Sequence, residues 1–152
     1  MKFTMILVPV TGTVADREAI ELACQLARQG KSRIHAIYII TPRRDLPLDV
    51  ELDSEIQKAE QVLENIESIG RKENCRIDGE VLQARDTGSA IVNEAVEREA
   101  DLVLMGFAYK MRYGEFDLGE IIPYVLKNSP CRVMLYQSSY TLEETPSGTA
   151  GI

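Results

Sequence analysis

The chain has 152 residues, of which 45% are hydrophobic and 27% are charged, so a mostly disordered chain is excluded and one soluble globular domain is indicated. Its formal net charge of −7 disfavours nucleic-acid binding and docking on an anionic membrane, because both need a basic face. The three cysteines form no CxxC pair and the chain has one histidine, so we predict no metal site and a reducing, cytoplasmic location.

The first half of the chain alternates strand and helix signals. The apolar run Met5–Val10 predicts a buried strand, since it is too short for a signal peptide or a membrane span. A helix should follow, with Thr13 as N-cap, Asp16 as its acidic capping-box partner and Gly30 just beyond its last turn. Residues 34–40 predict a second strand, and residues 52–66 predict a long amphipathic helix.

The second half continues the same alternation. Residues 75–82 predict a more polar third strand near a sheet edge, and Asp86 should cap the next helix. Residues 102–105 predict a central strand that ends at Gly106, followed by a helix around residues 118–125 and a last strand over residues 131–136. The alternation predicts a three-layer α/β fold with a parallel sheet. Residues 138–152 predict a flexible tail, which leaves residues 1–137 as the domain.

Ligands of open α/β sheets bind beyond the carboxyl ends of the strands. The segment from Gly106 to Gly119 is the informative one, because a glycine-containing loop between a strand and a helix can hold phosphate on its backbone amides. No Ser–His–acid or paired-carboxylate spacing is evident, so we predict no catalytic residue and no enzymatic activity. Cys24, Cys75 and Cys131 are interpreted as small apolar residues.

Several segments together carry a family resemblance: Ile-Leu-Val-Pro-Val at 6–10, Gly-Ser-Ala-Ile at 88–91, Ala-Asp-Leu-Val-Leu-Met-Gly at 100–106 and Ser-Pro-Cys-Arg-Val at 129–133. In this order, between residues 4 and 137, they resemble the universal stress protein family. The resemblance implies a stress-response role and a five-stranded parallel sheet in the order 3-2-1-4-5, of the adenine-nucleotide alpha-hydrolase-like, Rossmann-like type. It also implies a homodimer through the last strand, with candidate interface residues Arg132, Val133, Met134, Leu135 and Tyr136.

The ATP-binding members of that family carry Gly-x-x-Gly, nine residues, then Gly and Ser or Thr after the fourth strand, and an Asp after the first. Here Gly106 and Gly119 match, whereas Tyr109, Glu120 and Thr11 replace the second glycine, the hydroxyl residue and the aspartate. Tyr109 would crowd the backbone that approaches phosphate. Glu120, in the first turn of the last helix, would occupy the free amides there and repel phosphate. We therefore expect ATP to bind weakly or not at all.

The nucleotide site that the resemblance implies, if the chain has one, would take ATP, AMP or another adenine nucleotide. Lys110 and Arg112 either pair with phosphates or are solvated loop charges. The aromatic residues Phe107, Tyr109, Tyr113 and Phe116 either stack on adenine or fill the pocket. The candidate binding residues are Pro9, Val10, Thr11, Ile39, Met105, Gly106, Tyr109, Gly119, Glu120 and Ile121.

Two functions of different classes remain open at this point. One is a nucleotide-binding stress protein. The other is a nucleotide-free, dimeric interaction module that regulates a membrane transporter, because the departures at Thr11 and in the glycine segment also resemble universal-stress-like domains associated with amino-acid permeases and cation/proton antiporters. Direct membrane insertion is not predicted, and a hydrolase is disfavoured because no residue has a visible catalytic role.

Overall fold

The computed structural model describes residues 2–112, 115–116 and 119–142, with side chains for residues 2–107 and 119–138. Strands and helices alternate through most of this range, as predicted. In chain order the elements are β1 (Met5–Val10), α1 (Val14–Gly30), β2 (Arg33–Ile40), α2 (Asp53–Lys72), β3 (Ile77–Gln83), α3 (Thr87–Glu97), β4 (Leu102–Arg112), β5 (Glu115–Phe116), α4 (Ile121–Asn128) and β6 (Arg132–Leu142).

The five long strands form one parallel sheet in the order β3-β2-β1-β4-β6. Because β6 is the fifth parallel strand along the chain, this is the predicted order 3-2-1-4-5. The two-residue strand β5 is additional and pairs antiparallel with the end of β4. The more polar β3 lies at an edge, as predicted from its alternating pattern.

Helices cover both faces of the sheet, which gives the predicted three layers. On one face, α1 and α2 pack their buried residues, such as Ile20, Cys24 and Leu63, on one side of β1. On the other face, α3 and α4 supply a second cluster, which includes Ile91 and Val125. The side chains of β1 alternate between the two clusters, so the strand is buried on both faces, as a continuous apolar run requires.

The helix ends agree with the sequence only in part. Asp86 caps α3 by accepting a hydrogen bond of 2.9 Å from the Ser89 N–H, as predicted. Thr13 is the extended residue before α1, but its side chain makes no capping hydrogen bond. The left-handed residue that ends α1 is Lys31, with φ of 53°, and Gly30 is the last helical residue. A Cβ on Gly30 would lie 3.0 Å from the Phe3 carbonyl oxygen, so close backbone packing explains this glycine.

Two predicted boundaries are wrong. The strand β4 does not end at Gly106, and the last strand does not end before residue 138. The strand β4 runs six residues further, to Arg112, and β6 runs to Leu142. The two extensions pair with each other beyond an irregularity, with Tyr109 opposite Thr141. Each extension is therefore the strand that the other extension pairs with. Residues 143–152 lie outside the described part of the chain.

Within the described residues, no helix combines the length and the apolar character that a membrane span requires.

Candidate functional site

A cavity of about 350 Å³ opens at the carboxyl ends of β1, β2 and β4. The order of the sheet reverses here, since β2 and β4 flank β1 on opposite sides. A crevice at such a point is the usual ligand site of an open α/β sheet. The lining residues are Pro9, Val10, Thr11, Thr13, Ile37, Tyr38, Ile39, Thr87, Ile91, Met105, Gly106, Phe107, Ile121 and Ile122.

Most of the residues predicted from the sequence do line this cavity: Pro9, Val10, Thr11, Ile39, Met105, Gly106 and Ile121. The candidate binding residues did not include Thr13, the residue before α1, or Thr87, the first residue of α3. Their positions directly after the loops that follow β1 and β3 are a signal that could have found them. Phe107 also lines the cavity, as the aromatic hypothesis allowed.

Gly106 does not start a phosphate loop. It lies inside β4, opposite Tyr136 of β6, and faces α1. A Cβ at this position would lie 2.7 Å from the Ala19 Cβ and 2.9 Å from the Ala15 carbonyl oxygen. The glycine is therefore required by close packing between the strand and the helix. The predicted glycine loop from 106 to 119 is corrected, because β4 continues through its first half and β5 follows.

Glu120 and Gly119 also depart from the prediction. Glu120 is the exposed residue before α4, and its carboxylate accepts no capping hydrogen bond, so it does not plug the helix amides. It lines a neighbouring depression with Arg85 and Tyr124 rather than the cavity. Gly119 has φ of +70°, a conformation that favours glycine, and it does not line the cavity. The side chains of Tyr109, Lys110, Arg112, Tyr113 and Phe116 lie outside the described residues.

Asp16 organises the loop between β1 and α1. Its buried carboxylate accepts hydrogen bonds from the Thr11 N–H, at 3.1 and 3.2 Å, and from the Gly12 N–H at 2.6 Å. Burial raises the pKa of Asp16, and the hydrogen bonds from the backbone of Thr11, Gly12 and Thr13 oppose that rise. The predicted capping box is therefore formed only on the Asp16 side, since the Thr13 side chain makes no capping hydrogen bond, and the Asp16 carboxylate also accepts hydrogen bonds from two loop amides.

Among the described residues, the polar side chains that reach the cavity are neutral. The Thr11 and Thr13 hydroxyls lie 3.4 Å apart at its rim, and Thr87 adds a third hydroxyl. The other walls are mainly aliphatic, with Val10, Ile37 and Met105 at the strand ends. None of the described lining residues carries a formal charge. Such a lining favours a largely apolar group with a few hydrogen-bonding atoms over a highly charged one.

A second cluster of titratable residues lies away from the cavity, between β2, β3 and α3. His35 Nε2 lies 3.2 Å from Glu80 Oε1, and Glu94 completes a group with metal-ligand side chains. The Arg98 guanidinium already contacts both carboxylates, at 2.7 Å to Glu80 and 2.9 Å to Glu94. Since Arg98 supplies the positive charge that a cation would bring, we interpret the cluster as an ion-pair network.

The model of the universal stress protein family matches residues 2–137. The chain belongs to the universal stress protein family. A universal stress protein of Methanocaldococcus jannaschii is 28% identical over 139 residues, which cover 88% of this chain and 81% of the relative. The family assignment from the sequence is thereby confirmed.

Solved structures of universal stress proteins share the fold. The Archaeoglobus fulgidus protein in complex with dAMP has a TM-score of 0.68 and 20% identity, and the match covers 89% of this chain and 98% of that one. An Arabidopsis thaliana family member with AMP bound has a TM-score of 0.65 and 16% identity, with 90% and 92% covered. The adenine-nucleotide alpha-hydrolase-like architecture predicted for this universal stress protein is therefore confirmed.

Proposed function

We propose that this universal stress protein binds the adenosine part of an adenine nucleotide in the cavity at the ends of β1, β2 and β4. The observation that carries the proposal is the lining itself: aliphatic walls with threonine hydroxyls and, among the described residues, no charged side chain. Apolar walls suit a purine, and hydroxyls suit its ring nitrogens or a ribose. Two structural neighbours are complexes with dAMP and AMP, which supports a nucleotide of this kind.

The size of the cavity agrees with a nucleoside-sized ligand. At about 350 Å³ it lies near the lower end of the range for small-molecule pockets, which is roughly 300–1,000 Å³. At about 0.3 kcal/mol per non-hydrogen atom, adenosine's ~19 such atoms give a Kd on the order of 100 µM. The γ-phosphate of ATP would gain little from the described lining, so we expect AMP and ATP to bind with similar, weak affinity.

Titration of AMP, adenosine and ATP against the folded protein by calorimetry tests the proposal. Similar dissociation constants for AMP and ATP are the expected result. ATP bound a hundredfold more tightly than AMP would contradict it, since about 2.8 kcal/mol of binding energy would then come from the outer phosphates.

The second candidate function is a protein-interaction module, with regulation of a membrane transporter as the corresponding role. The short helix α4 exposes Ile121, Tyr124 and Leu126, of which Leu126 is 48% exposed. Large apolar side chains on one short helix favour a protein partner. Failure of every adenine ligand to bind the folded protein would favour this second function.

The proposed cellular setting is the cytoplasm, with the protein acting as a non-enzymatic stress-response regulator and a homodimer. All three cysteines are free thiols, which fits a reducing compartment. In the described sheet β6 pairs with β4 alone, so the other edge of β6 is available to a second copy. The predicted interface residues, from Arg132 to Tyr136, all lie on this strand.

A further inference from the structure

Two free thiols from distant parts of the chain meet beneath the sheet. Cys24 lies on α1 and Cys75 lies in the turn between α2 and β3, and the Cys75 thiol is near enough to Cys24 to interact with it. Both belong to the apolar cluster that α1 and α2 form against one face of the sheet. The proposed ligand cavity does not involve either residue.

Hydrogen bonds beside the two cysteines join the segments that carry them. Arg28, one turn after Cys24 on α1, donates a hydrogen bond of 2.6 Å to the Glu73 carbonyl oxygen and one of 3.0 Å to the Glu73 carboxylate. The Cys75 N–H donates to the Gly70 carbonyl oxygen at 2.7 Å, which fixes the turn at the end of α2. The end of α1 and the turn that carries Cys75 are therefore joined independently of the thiols.

The two sulfur atoms differ in environment. Cys24 is fully buried, and burial, followed by its contact with Cys75, raises its pKa to about 12. At neutral pH it is therefore a thiol and a poor first nucleophile. Cys75 is only half-buried, so a dissolved oxidant reaches it more readily than it reaches Cys24. This division matches a pair with one attacking and one resolving cysteine.

We propose that Cys24 and Cys75 form a reversible redox pair that a peroxide oxidises to a disulfide. The Cys75 thiolate attacks a peroxide oxygen, so that an S–O bond forms, the O–O bond breaks and water leaves after protonation. The Cys24 sulfur then attacks the Cys75 sulfenic acid, which forms the S–S bond, breaks the S–O bond and releases a second water with the Cys24 proton. Overall the two thiols lose two electrons and two protons, and hydrogen peroxide is reduced to two waters.

Oxidation would join α1 to the start of β3, across a long segment of chain. A cross-link of that span stabilises the fold mainly by restricting the unfolded chain. We expect the Tm to rise by about 5–10 °C on oxidation and to return on reduction with a dithiol. Because the pair lies near the amino end of β3 and the cavity lies at the carboxyl ends of the strands, AMP affinity should stay within about twofold.

Peptide mapping by mass spectrometry after hydrogen peroxide treatment of the full chain tests the proposal. The expected result is one cross-linked peptide pair that contains Cys24 and Cys75, a mass loss of about 2 Da and the loss of two of three titratable thiols. Cys131 is the internal control, since it packs in the cluster on the opposite face of the sheet. The variant Cys131→Ser should still lose two thiols, whereas Cys75→Ser should form no disulfide.

The variant Cys24→Ala separates the two steps. It should leave Cys75 as a sulfenic acid that dimedone traps, because the resolving thiol is missing. The mapping of the wild-type chain does not depend on how well that variant folds. A wild-type protein that keeps Cys24 reduced while Cys75 is oxidised, or that forms disulfides only through Cys131, would overturn the proposal.

Discussion

The Asp16 carboxylate accepts a hydrogen bond of 2.6 Å from the Gly12 N–H. Gly12 has φ of +86°, so the loop turns in a conformation that suits glycine and brings its amide to the carboxylate. Asp16 does not replace the aspartate that is missing at Thr11, because it lines a depression between α1 and α2 rather than the ligand cavity. The Thr11 and Gly12 amides are thus occupied by the protein itself.

Replacement of Asp16 by alanine should lower the free energy of unfolding by about 2 kcal/mol, because two loop N–H groups lose their acceptor. Arg17→Ala is the matched control, since Arg17 is an exposed neighbour on the same turn, and it should change stability by less than about 0.5 kcal/mol. Urea unfolding of both variants measures the difference. Equal stability of the two variants would show that the carboxylate does not hold the loop.

The effect of Asp16 on stability should also depend on pH. Its folded-state pKa is raised above 3.8, so the folded protein binds this proton more tightly than the unfolded chain. The stability that this proton confers is fully present below the unfolded pKa and is lost as the pH rises through the raised pKa. The difference in stability between wild type and Asp16→Ala should therefore be larger at pH 4 than at pH 7. A difference that grows toward neutral pH would contradict the raised pKa.

Gly106→Ala should destabilise the fold by about 1–3 kcal/mol, because the added methyl group meets the Ala15 backbone and the Ala19 Cβ of α1. Gly79→Ala is the control in another strand. There the nearest atom is the Leu63 Cδ2 at 3.3 Å, at the end of a flexible side chain, so the cost should stay below about 1 kcal/mol. Thermal unfolding compares the two. A tolerated Gly106→Ala would mean that α1 and β4 are less closely packed.

Glu120→Ser should change the affinity for AMP and ATP by less than about twofold, because Glu120 is exposed and lies outside the cavity lining. Thr11→Lys is the contrasting variant, since it places a cation at the rim of the cavity. One favourable charge contact of about 1 kcal/mol should tighten ATP binding about fivefold. Calorimetric titration of both variants decides the matter. A large gain from Glu120→Ser would restore the idea that this carboxylate repels phosphate.

The protein should sediment as a homodimer at micromolar concentration, with the edge of β6 that is free in the described sheet as the interface. Consecutive N–H groups of a parallel strand point to opposite sides of the strand. Of the variants Val133→Pro and Met134→Pro, one therefore removes a hydrogen-bond donor at the free edge, and the other removes a donor that faces β4. One variant should therefore be a folded monomer and the other should lose stability. A monomeric wild type would eliminate the interface.

The order of strands and helices was predictable because each element has its own apolar pattern within a short stretch of sequence. The spacing of the apolar residues in that stretch distinguishes a helix from a strand. The end of β4 was not, since Tyr109 is held in the strand by Thr141, 32 residues further along the chain. Gly106 illustrates a different limit. Its sequence position fitted a phosphate loop, whereas the glycine is needed by the approach of Ala15 and Ala19 of α1.

In the candidate site, too, some features were predictable from the sequence and others were not. Pro9, Val10 and Met105 were predictable because strand ends at the reversal point of the sheet line the crevice. The role of Asp16 was not, because a residue at the third position after a helix cap usually bonds the cap itself. Here its carboxylate also accepts hydrogen bonds from the amides of Thr11 and Gly12, which only the path of the loop determines.

Calorimetric titration of AMP against wild type and Ile39→Trp tests the proposed function most directly. Ile39 lines the cavity at the end of β2, so a tryptophan there should fill it, and Leu48→Trp is the control because Leu48 is exposed in the loop before α2 and does not line the cavity. Wild type and Leu48→Trp should bind AMP with a Kd on the order of 100 µM, and Ile39→Trp should bind at least about tenfold more weakly. Equal AMP affinity for a folded Ile39→Trp and the wild type would contradict the proposed site.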